Sequence, residues 1–539
     1  MNELAPIRRA HPNERGNMPI LKPAARVKRA EKIRFMAAKA ASHIATQKDN
    51  GDEALYPEKW GSYSKGLAHD TKGDVRIRSY NSMVRALKSG AAADFDKIDL
   101  GGTVPLVDPQ AGLAFTLEGG DPQSFELAAA PPLASARRAG EAVEAYWMAL
   151  LRDVPFSEYE SHPLVQAAIA DIGKLSDFRG PREAGKVTAK TLFRGFTPGD
   201  LAGPYISQFL LKPFDLGALK IDQRFRTYTP ELDYMTGFAD WLAVQNGQAP
   251  DPLTARTCPF GQNVVEPARY LRDGRGLSAC VHADISFEPY VNACLVLLTQ
   301  RPPAPFSAGN PYKSNPTQAG FGTFGSAHAK TLISAAAALA LKAVWFQKWF
   351  VQRTLRPEAY GALVHKTMLP ESRRLHKIYP VHADILNSDA VQQVLAKHGG
   401  SLLPQAFPEG SPCHPSYGQG HGAVAGACAT ILKAVFDESA VISDPKMPSA
   451  ELGEPGTDVL TDYDGPDKDM LTVGGEANKL ASNIALARSH AGVNFRSDYE
   501  QSLMLGEEVA ISLLRDQKAT FNQNASWDFT RFDGTRMTI

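Results

Sequence analysis

The sequence predicts an all-α fold with minor short strands in its N-terminal part, and three observations carry that prediction. From about residue 133 onward, apolar residues recur at helical spacing. Long segments at 327–355 and 420–436 are apolar on most faces, the pattern of helices enclosed by other helices. Strand-like composition is concentrated at 98–121 (IDLGGTVPLVDPQAGLAFTLEGGD), where β-branched residues punctuated by Gly, Pro and Asp predict short strands and a hairpin.

In chain order, an Ala-rich stretch at 34–46 and the segment 80–88 read as helices ahead of that hairpin. The next helix, 134–151, is stopped by Pro155. Further helices are predicted over 232–244, 287–298, 327–355, 383–397, 420–436, 475–492 and 498–514. The chain therefore divides into residues 1–130, a basic arm with a mixed helix and strand region, and 131–539, a helical-bundle domain. The acidic, Gly- and Pro-rich segment 451–469 lacks an EF-hand pattern and reads as a solvated loop.

Composition narrows the function classes. With 58 Lys and Arg against 58 Asp and Glu, the 539-residue chain has no net charge, which argues against a dedicated nucleic-acid binder. At 43% hydrophobic and 22% charged it has material for a core, and global disorder is excluded. Its five cysteines include no C-x-x-C pair, so reduced thiols and a cytoplasmic location are expected. The best apolar run, 332–346, is broken by Lys342 and is too short for a membrane span, so no membrane association is expected. Arg8-Arg9 is followed by no apolar stretch of the kind an export signal needs. The nine basic residues among the first 34 read as a flexible or wrapping arm.

Three separated segments carry the chemistry when taken together. The first runs from Lys348 to Arg356-Pro357 at the end of a long helix. The second is the Gly-rich turn Pro412-Cys-His414-Pro-Ser416-Tyr-Gly-Gln419-Gly420-His421, which opens a helix. The third is Arg488-Ser-His490-Ala-Gly-Val-Asn494-Phe-Arg496-Ser-Asp498. Lys348, Arg356 and Arg488 offer cationic donors, and arginine forks match the geometry of tetrahedral oxyanions. A Gly-rich turn at a helix N-terminus adds backbone N–H groups and a positive dipole end. His421, one turn into that helix, is placed to exchange a proton with a bound group. Singly, each feature is ordinary: a lysine at a helix end is commonly a capping charge, and a lone histidine is commonly structural.

The ordered combination over about 330–515 resembles the vanadium-dependent haloperoxidases, which share an active-site pattern with acid and lipid phosphatases. Lys348 and Arg356-Pro357 match the first block, with the eight-residue step of the bromoperoxidase-like branch; His414-Pro-Ser416-Tyr and Gly420-His421 match the second, and Arg488 and Asp498 the third. The resemblance implies an α-helical fold of two four-helix bundles and a homodimer. Two positions depart from it. Gln419 stands where the family has Ser, and Asn494 stands where it has the histidine that binds vanadium in haloperoxidases or attacks phosphorus in phosphatases. A carboxamide nitrogen has a delocalised lone pair and is a poor metal ligand and nucleophile.

With Asn494 and Gln419, the sequence resembles a vanadate-free branch of the family that catalyses α-hydroxyketone rearrangements in naphthoquinone meroterpenoid pathways. That resemblance implies an isomerase with no cofactor and no metal, acting on a prenylated aromatic small molecule. Lys348, Arg356 and Arg488 are then the candidate oxyanion donors and His414 or His421 the base. Asn494 and Gln419 are candidates to orient the two oxygens, with Ser416, Gly420, His490 and Trp345 as further substrate contacts, although core packing is the ordinary role for Trp345. Two alternatives accompany this reading: a vanadate-, peroxide- and halide-dependent haloperoxidase, and a non-catalytic homologue that binds an anion or a partner.

Overall fold

The computed structural model describes residues 22–42, 44–248, 264–283, 286–370, 379–449 and 458–539. The first 21 residues, including Arg8-Arg9, and residues 450–457 of the acidic segment lie outside them, as does Cys258. The described chain is predominantly helical. Its helices of eight residues or more are α1 (Pro23–Ala41), α2 (Ile77–Ser89), α3 (Ala136–Leu150), α4 (Pro163–Ile172), α5 (Phe238–Gln245), α6 (Glu288–Thr299), α7 (Ser326–Phe346), α8 (Pro357–Met368), α9 (Asp389–His398), α10 (Gly420–Val435), α11 (Val473–His490) and α12 (Arg496–Thr520).

Two helical assemblies organise the core. In one, α10 packs against α7, α11 and α12, and α7 also meets α12. Small residues permit that closeness: a Cβ built on Gly426 would stand 2.1 Å from Leu503 O, and one on Gly506 would stand 2.0 Å from Ala423 O. The all-round apolar character of 420–436 follows, because nearly every residue of α10 is buried. In the other assembly, α3 packs against α4, α8 and α9, with α11 touching both groups.

Helix α7 and the turn that extends it, Ser326–Gln352, have a mean hydropathy of 1.4 and are long and apolar enough to cross a membrane by composition alone. The sequence reading, stopped by Lys342, expected no such segment. Here Leu332, Ala336, Ala340 and Val344 are buried, and the helix is a central member of the bundle.

The short strands are placed differently from the sequence expectation. The 98–121 stretch forms no paired strands; it contains a 3₁₀ turn, Ala111–Leu113, and one isolated bridge from Leu100 to Leu67. The cause lies in its glycines: Gly101 and Gly102 press against the backbones of Leu67 and Asn246–Gly247, leaving no edge for a ladder. The strands among the described residues pair instead as four antiparallel hairpin-like ribbons, all beyond residue 130. These are β1 (Phe214–Leu216) with β2 (Leu219–Ile221), β3 (Phe225–Tyr228) with β4 (Val264–Arg269), β5 (Lys446–Pro448) with β6 (Leu460–Asp462), and β7 (Asp528–Thr530) with β8 (Arg536–Thr538). The described cysteines, Cys280, Cys294, Cys413 and Cys428, form no disulfide with one another and are buried.

Candidate active site

A cavity of about 420 Å³ opens where the N-terminus of α10 faces the C-terminal end of α7 and the end of α11. Its wall contains Trp345, His414, Gln419, Gly420, His421, Arg488 and Asn494, so seven of the sequence-predicted residues converge on one space. Val104, Val107, Leu341 and Phe407 give it an apolar lining.

Three elements position the polar wall. Helix α7 ends in a π-helical turn, Gln347–Gln352, that carries Lys348, a local widening often found at functional sites. Arg356 is then the N-cap of α8, with Pro357 at its first position, where a missing N–H costs nothing. Gln419 is the N-cap of α10, and Gly420 lies so near Trp345 that an added Cβ would be 3.0 Å from its ring.

Behind the wall, buried Asp498 collects donors. Its Oδ2 accepts from the Ser416 hydroxyl, from Asn494 Nδ2 at 2.9 Å and from the Phe495 backbone N–H at 3.0 Å. The last bond satisfies an orphan donor at the start of α12. Because a carboxylate only accepts, the bond to Asp498 also fixes which way the Asn494 amide points.

Lys348, Arg356 and Ser416 do not line the cavity; they support the wall from behind. Lys348 Nζ donates to Pro415 O at 2.7 Å and Ser416 O at 3.0 Å. Burial, reinforced by Arg356, pushes its ammonium well below the ordinary lysine range. Arg356 donates to His414 O, to Val493 O and, through Nη2, to His414 Nδ1 at 2.8 Å. His414 Nδ1 also lies 3.1 Å from Pro415 O, so a donor and an acceptor together pin the imidazole at that nitrogen. Burial, with the charges of Lys348 and Arg356, holds His414 neutral, its pKa well below the usual value. Of the two candidate bases, His414 is fixed through Nδ1 by Arg356 and Pro415, and His421 lines the same cavity from the first turn of α10.

His490, a candidate substrate contact from the sequence, lies elsewhere. It is fully buried among Phe156, Phe193 and Tyr205, with Nε2 3.3 Å from the Tyr205 hydroxyl. The reason is helical phase: two residues beyond Arg488, it points away from the face that Arg488 presents. Arg353 and Arg496 are also structural, bound to Glu53 and Glu144 respectively. Trp345 combines both expected roles, lining the cavity while packing at a tilt against His414 with ring centroids 4.9 Å apart.

The cavity also has residues that sequence reasoning missed. His282 and Glu409 line it, their Nε2 and Oε1 atoms 2.5 Å apart, and Lys65 supports the Glu409 segment. They lie 127 residues apart with no motif around either, so no local signal marks them.

Comparison with known proteins places this architecture. Residues 384–523 match the family described as the VCPO second helical-bundle domain. The chain is 34% identical to a vanadium-dependent bromoperoxidase of Corallina pilulifera, across 96% of this chain and 100% of that protein. It is 31% identical to one of Ascophyllum nodosum, across 90% of this chain and 87% of that protein. The homohexameric structure of the second vanadate-dependent bromoperoxidase (AnII) from Ascophyllum nodosum superposes with a TM-score of 0.89 at 30% identity, covering 100% of this chain and 94% of that one. The chain belongs to the vanadium haloperoxidase family.

Whether the residues present suit vanadate is a question of donor chemistry. The side chain at 494 presents no imidazole nitrogen, and its amide nitrogen already donates to Asp498 and, at 3.3 Å, to Ser416 Oγ. Gln419 sends its own amide N–H away to Ala485 O at 2.8 Å, leaving Oε1 buried with no partner. An oxyanion shell needs donors, and a covalently held vanadium needs a lone pair; this part of the wall supplies acceptors and a committed amide. The set does not fit vanadate held through residue 494.

Proposed function

We propose that this chain is a vanadate-independent isomerase on the haloperoxidase scaffold, catalysing a 1,2-shift on an α-hydroxyketone of the prenylated naphthoquinone class. The observation that carries the proposal is Asn494, hydrogen-bonded as a donor where the family pattern has its metal-binding histidine. The size and lining of the cavity support it, since about 420 Å³ with Trp345, Phe407 and Leu341 suits a substituted bicyclic aromatic.

The step balances without a cofactor. The hydroxyl O–H bond and the carbon bond to the migrating group break, and a carbon–carbon bond forms at the adjacent carbonyl carbon. The hydroxyl oxygen becomes the ketone, and the former ketone oxygen becomes an alkoxide that takes up a proton. Arg488 lines the cavity as a cationic donor for the developing negative charge, beside His414, which Arg356 holds in place, and Lys348 braces the turn between them through Pro415 O and Ser416 O. His421 is the proton-exchanging histidine in this reading.

A second reading, halogenation dependent on vanadate, peroxide and halide, is favoured by the names of the relatives at 31–34% identity. Equilibrium dialysis against orthovanadate with metal analysis, alongside an Asn494→His variant, separates the two. No vanadium in the natural protein and stoichiometric uptake by the variant is the expected result; tight uptake by the natural protein selects the haloperoxidase reading. Rearrangement without additives, lost in His421→Ala, then ties the activity to this cavity.

A homo-oligomer belongs to the same proposal. The AnII structure is homohexameric, and in this chain α1 has no buried residue while Val27, Phe35 and Met36 are exposed. Light scattering that returns a monomer mass would overturn it.

A further inference from the structure

The wall of the cavity formed by Phe407, Glu409 and His282 carries a second proton-handling arrangement. Glu409 Oε1 meets His282 Nε2 at 2.5 Å, and the Tyr228 hydroxyl is bonded to His282 Nδ1. Phe407 lies flat on the imidazole, with ring centroids 3.8 Å apart and planes at 12°. Both ring nitrogens are thus occupied and the ring is clamped, so His282 has no nitrogen left for a ligand.

Glu409 differs. Both it and His282 line the cavity, but of a carboxylate's roughly four acceptor sites His282 takes one. The backbone beneath it is fixed: Lys65 Nζ donates to Glu409 O at 2.6 Å, to Ser411 O at 2.5 Å and to Glu358 Oε1 at 2.8 Å, and Glu358 Oε2 accepts from Ser411 N–H. Burial raises the Glu409 pKa, but the hydrogen bond and charge of His282, with the Lys65 charge, outweigh it and keep the carboxyl below its usual range. The carboxylate is thus a weaker base than a free glutamate, and its fitness to receive a hydroxyl proton rests on placement: it lines the cavity, ionised and held in one orientation by the clamped imidazole.

We propose that Glu409 is a catalytic residue of this cavity that accepts the hydroxyl proton of the bound ligand, with His282 as its positioning residue. The inference rests on the isomerase reading for its reaction and on the cavity geometry for its recognition of a hydroxyl. In the rearrangement Glu409 takes the proton from the substrate hydroxyl as the carbon group migrates, and protonated His421 gives one to the new alkoxide oxygen. The two groups then exchange protons through water, and no electrons are gained or lost.

The test has a binding arm and a kinetic arm, both on the full chain. In the binding arm, fluorescence titration compares 1-naphthol with naphthalene. The natural protein is expected to prefer naphthol by about tenfold or more, since a site built to accept a hydroxyl rejects the analogue lacking it. Glu409→Leu is expected to erase the preference; a natural protein without the preference, or a variant that keeps it, overturns the proposal. In the kinetic arm, Glu409→Gln keeps the shape and is expected to lose about 100-fold or more in kcat for the rearrangement at an unchanged melting temperature. Full kcat in that variant overturns the role of Glu409 while leaving the isomerase reading intact. If the natural protein performs no rearrangement yet shows the Glu409-dependent naphthol preference, the isomerase reading falls and the hydroxyl-accepting site stands.

His282→Gln provides the positioning readout. The charged and titratable groups around Glu409 are His282 and Lys65, with Cys413, His414, His421 and Arg488 on the other walls and Glu358 and Tyr228 behind. Removing His282 removes the interaction that lowers the Glu409 pKa, so the acid limb of kcat/KM moves to higher pH. An unmoved acid limb overturns the positioning role.

Discussion

Asp498 shows how one carboxylate can hold a whole site together. It receives the Ser416 hydroxyl, the Asn494 amide and the first orphan N–H of α12, so it ties the α10 turn to the start of α12. Asp498→Ala strands three buried donors, and the cost expected is about 3 kcal/mol, read as a shift in the urea midpoint at unchanged slope. A midpoint within experimental error of the natural protein would show that water replaces the carboxylate. At this scale the sequence was most legible where identity alone decides chemistry. Asn494 and Gln419 announce a wall of a different kind because an amide cannot imitate imidazole, whatever surrounds it. It was least legible where partners come from distant segments. His282 and Glu409 become a pair only through the fold, and His414 is pinned only because Arg356 and Pro415 O both meet its Nδ1.

Elements translate these residues into positions, and the α10–α12 crossing is the most demanding of them. Gly426 and Gly506 let the two backbones approach so closely that any Cβ would strike a carbonyl oxygen. That contact holds the N-terminus of α10, with Gly420 and His421, against Asp498 at the start of α12. Gly506→Ala therefore does more than add a methyl group: a Cβ 2.0 Å from Ala423 O forces the helices apart. About 2–3 kcal/mol of destabilisation is expected, together with weakened ligand binding in the cavity, because the shift propagates along α10. Unchanged stability would mean that the crossing relaxes locally. The apolar periodicity that made these helices readable in sequence reports burial alone; the π-helical turn that carries Lys348 leaves no trace in that pattern. The 98–121 stretch misled for the converse reason. Its β-branched residues fit a strand, but its glycines are used for close backbone approach instead of turns between strands.

For the whole molecule, the buried histidines set the response to acid. Burial holds His490 down to about 3, with Arg152 adding to the effect, and burial holds His69 down to about 4. His414 is also pushed well below its ordinary value. Unfolding returns each to about 6.5, so between that pH and its depressed value the unfolded chain binds a proton that the folded chain refuses. Stability is then greatest above about pH 6.5 and falls as the pH drops, by about 1.4 kcal/mol per pH unit for each such histidine. Because the three lie in separate settings, their effects should add: His69 in the N-terminal region, His414 beside the cavity and His490 in its aromatic cage. His490→Gln tests this without touching the cavity wall, since the bond from Arg152 goes to the backbone carbonyl of residue 490 and survives the change. The expected result is a shallower loss of unfolding free energy between pH 6 and 4, by one proton's contribution, with the ligand binding of the cavity unaltered. An unchanged slope would show that folded His490 protonates as readily as the unfolded chain does, leaving the response between pH 6 and 4 to His69 and His414; carboxylates such as Asp233, which Arg152 and its neighbours hold ionised against the cost of burial, add to it only as the pH falls below about 4.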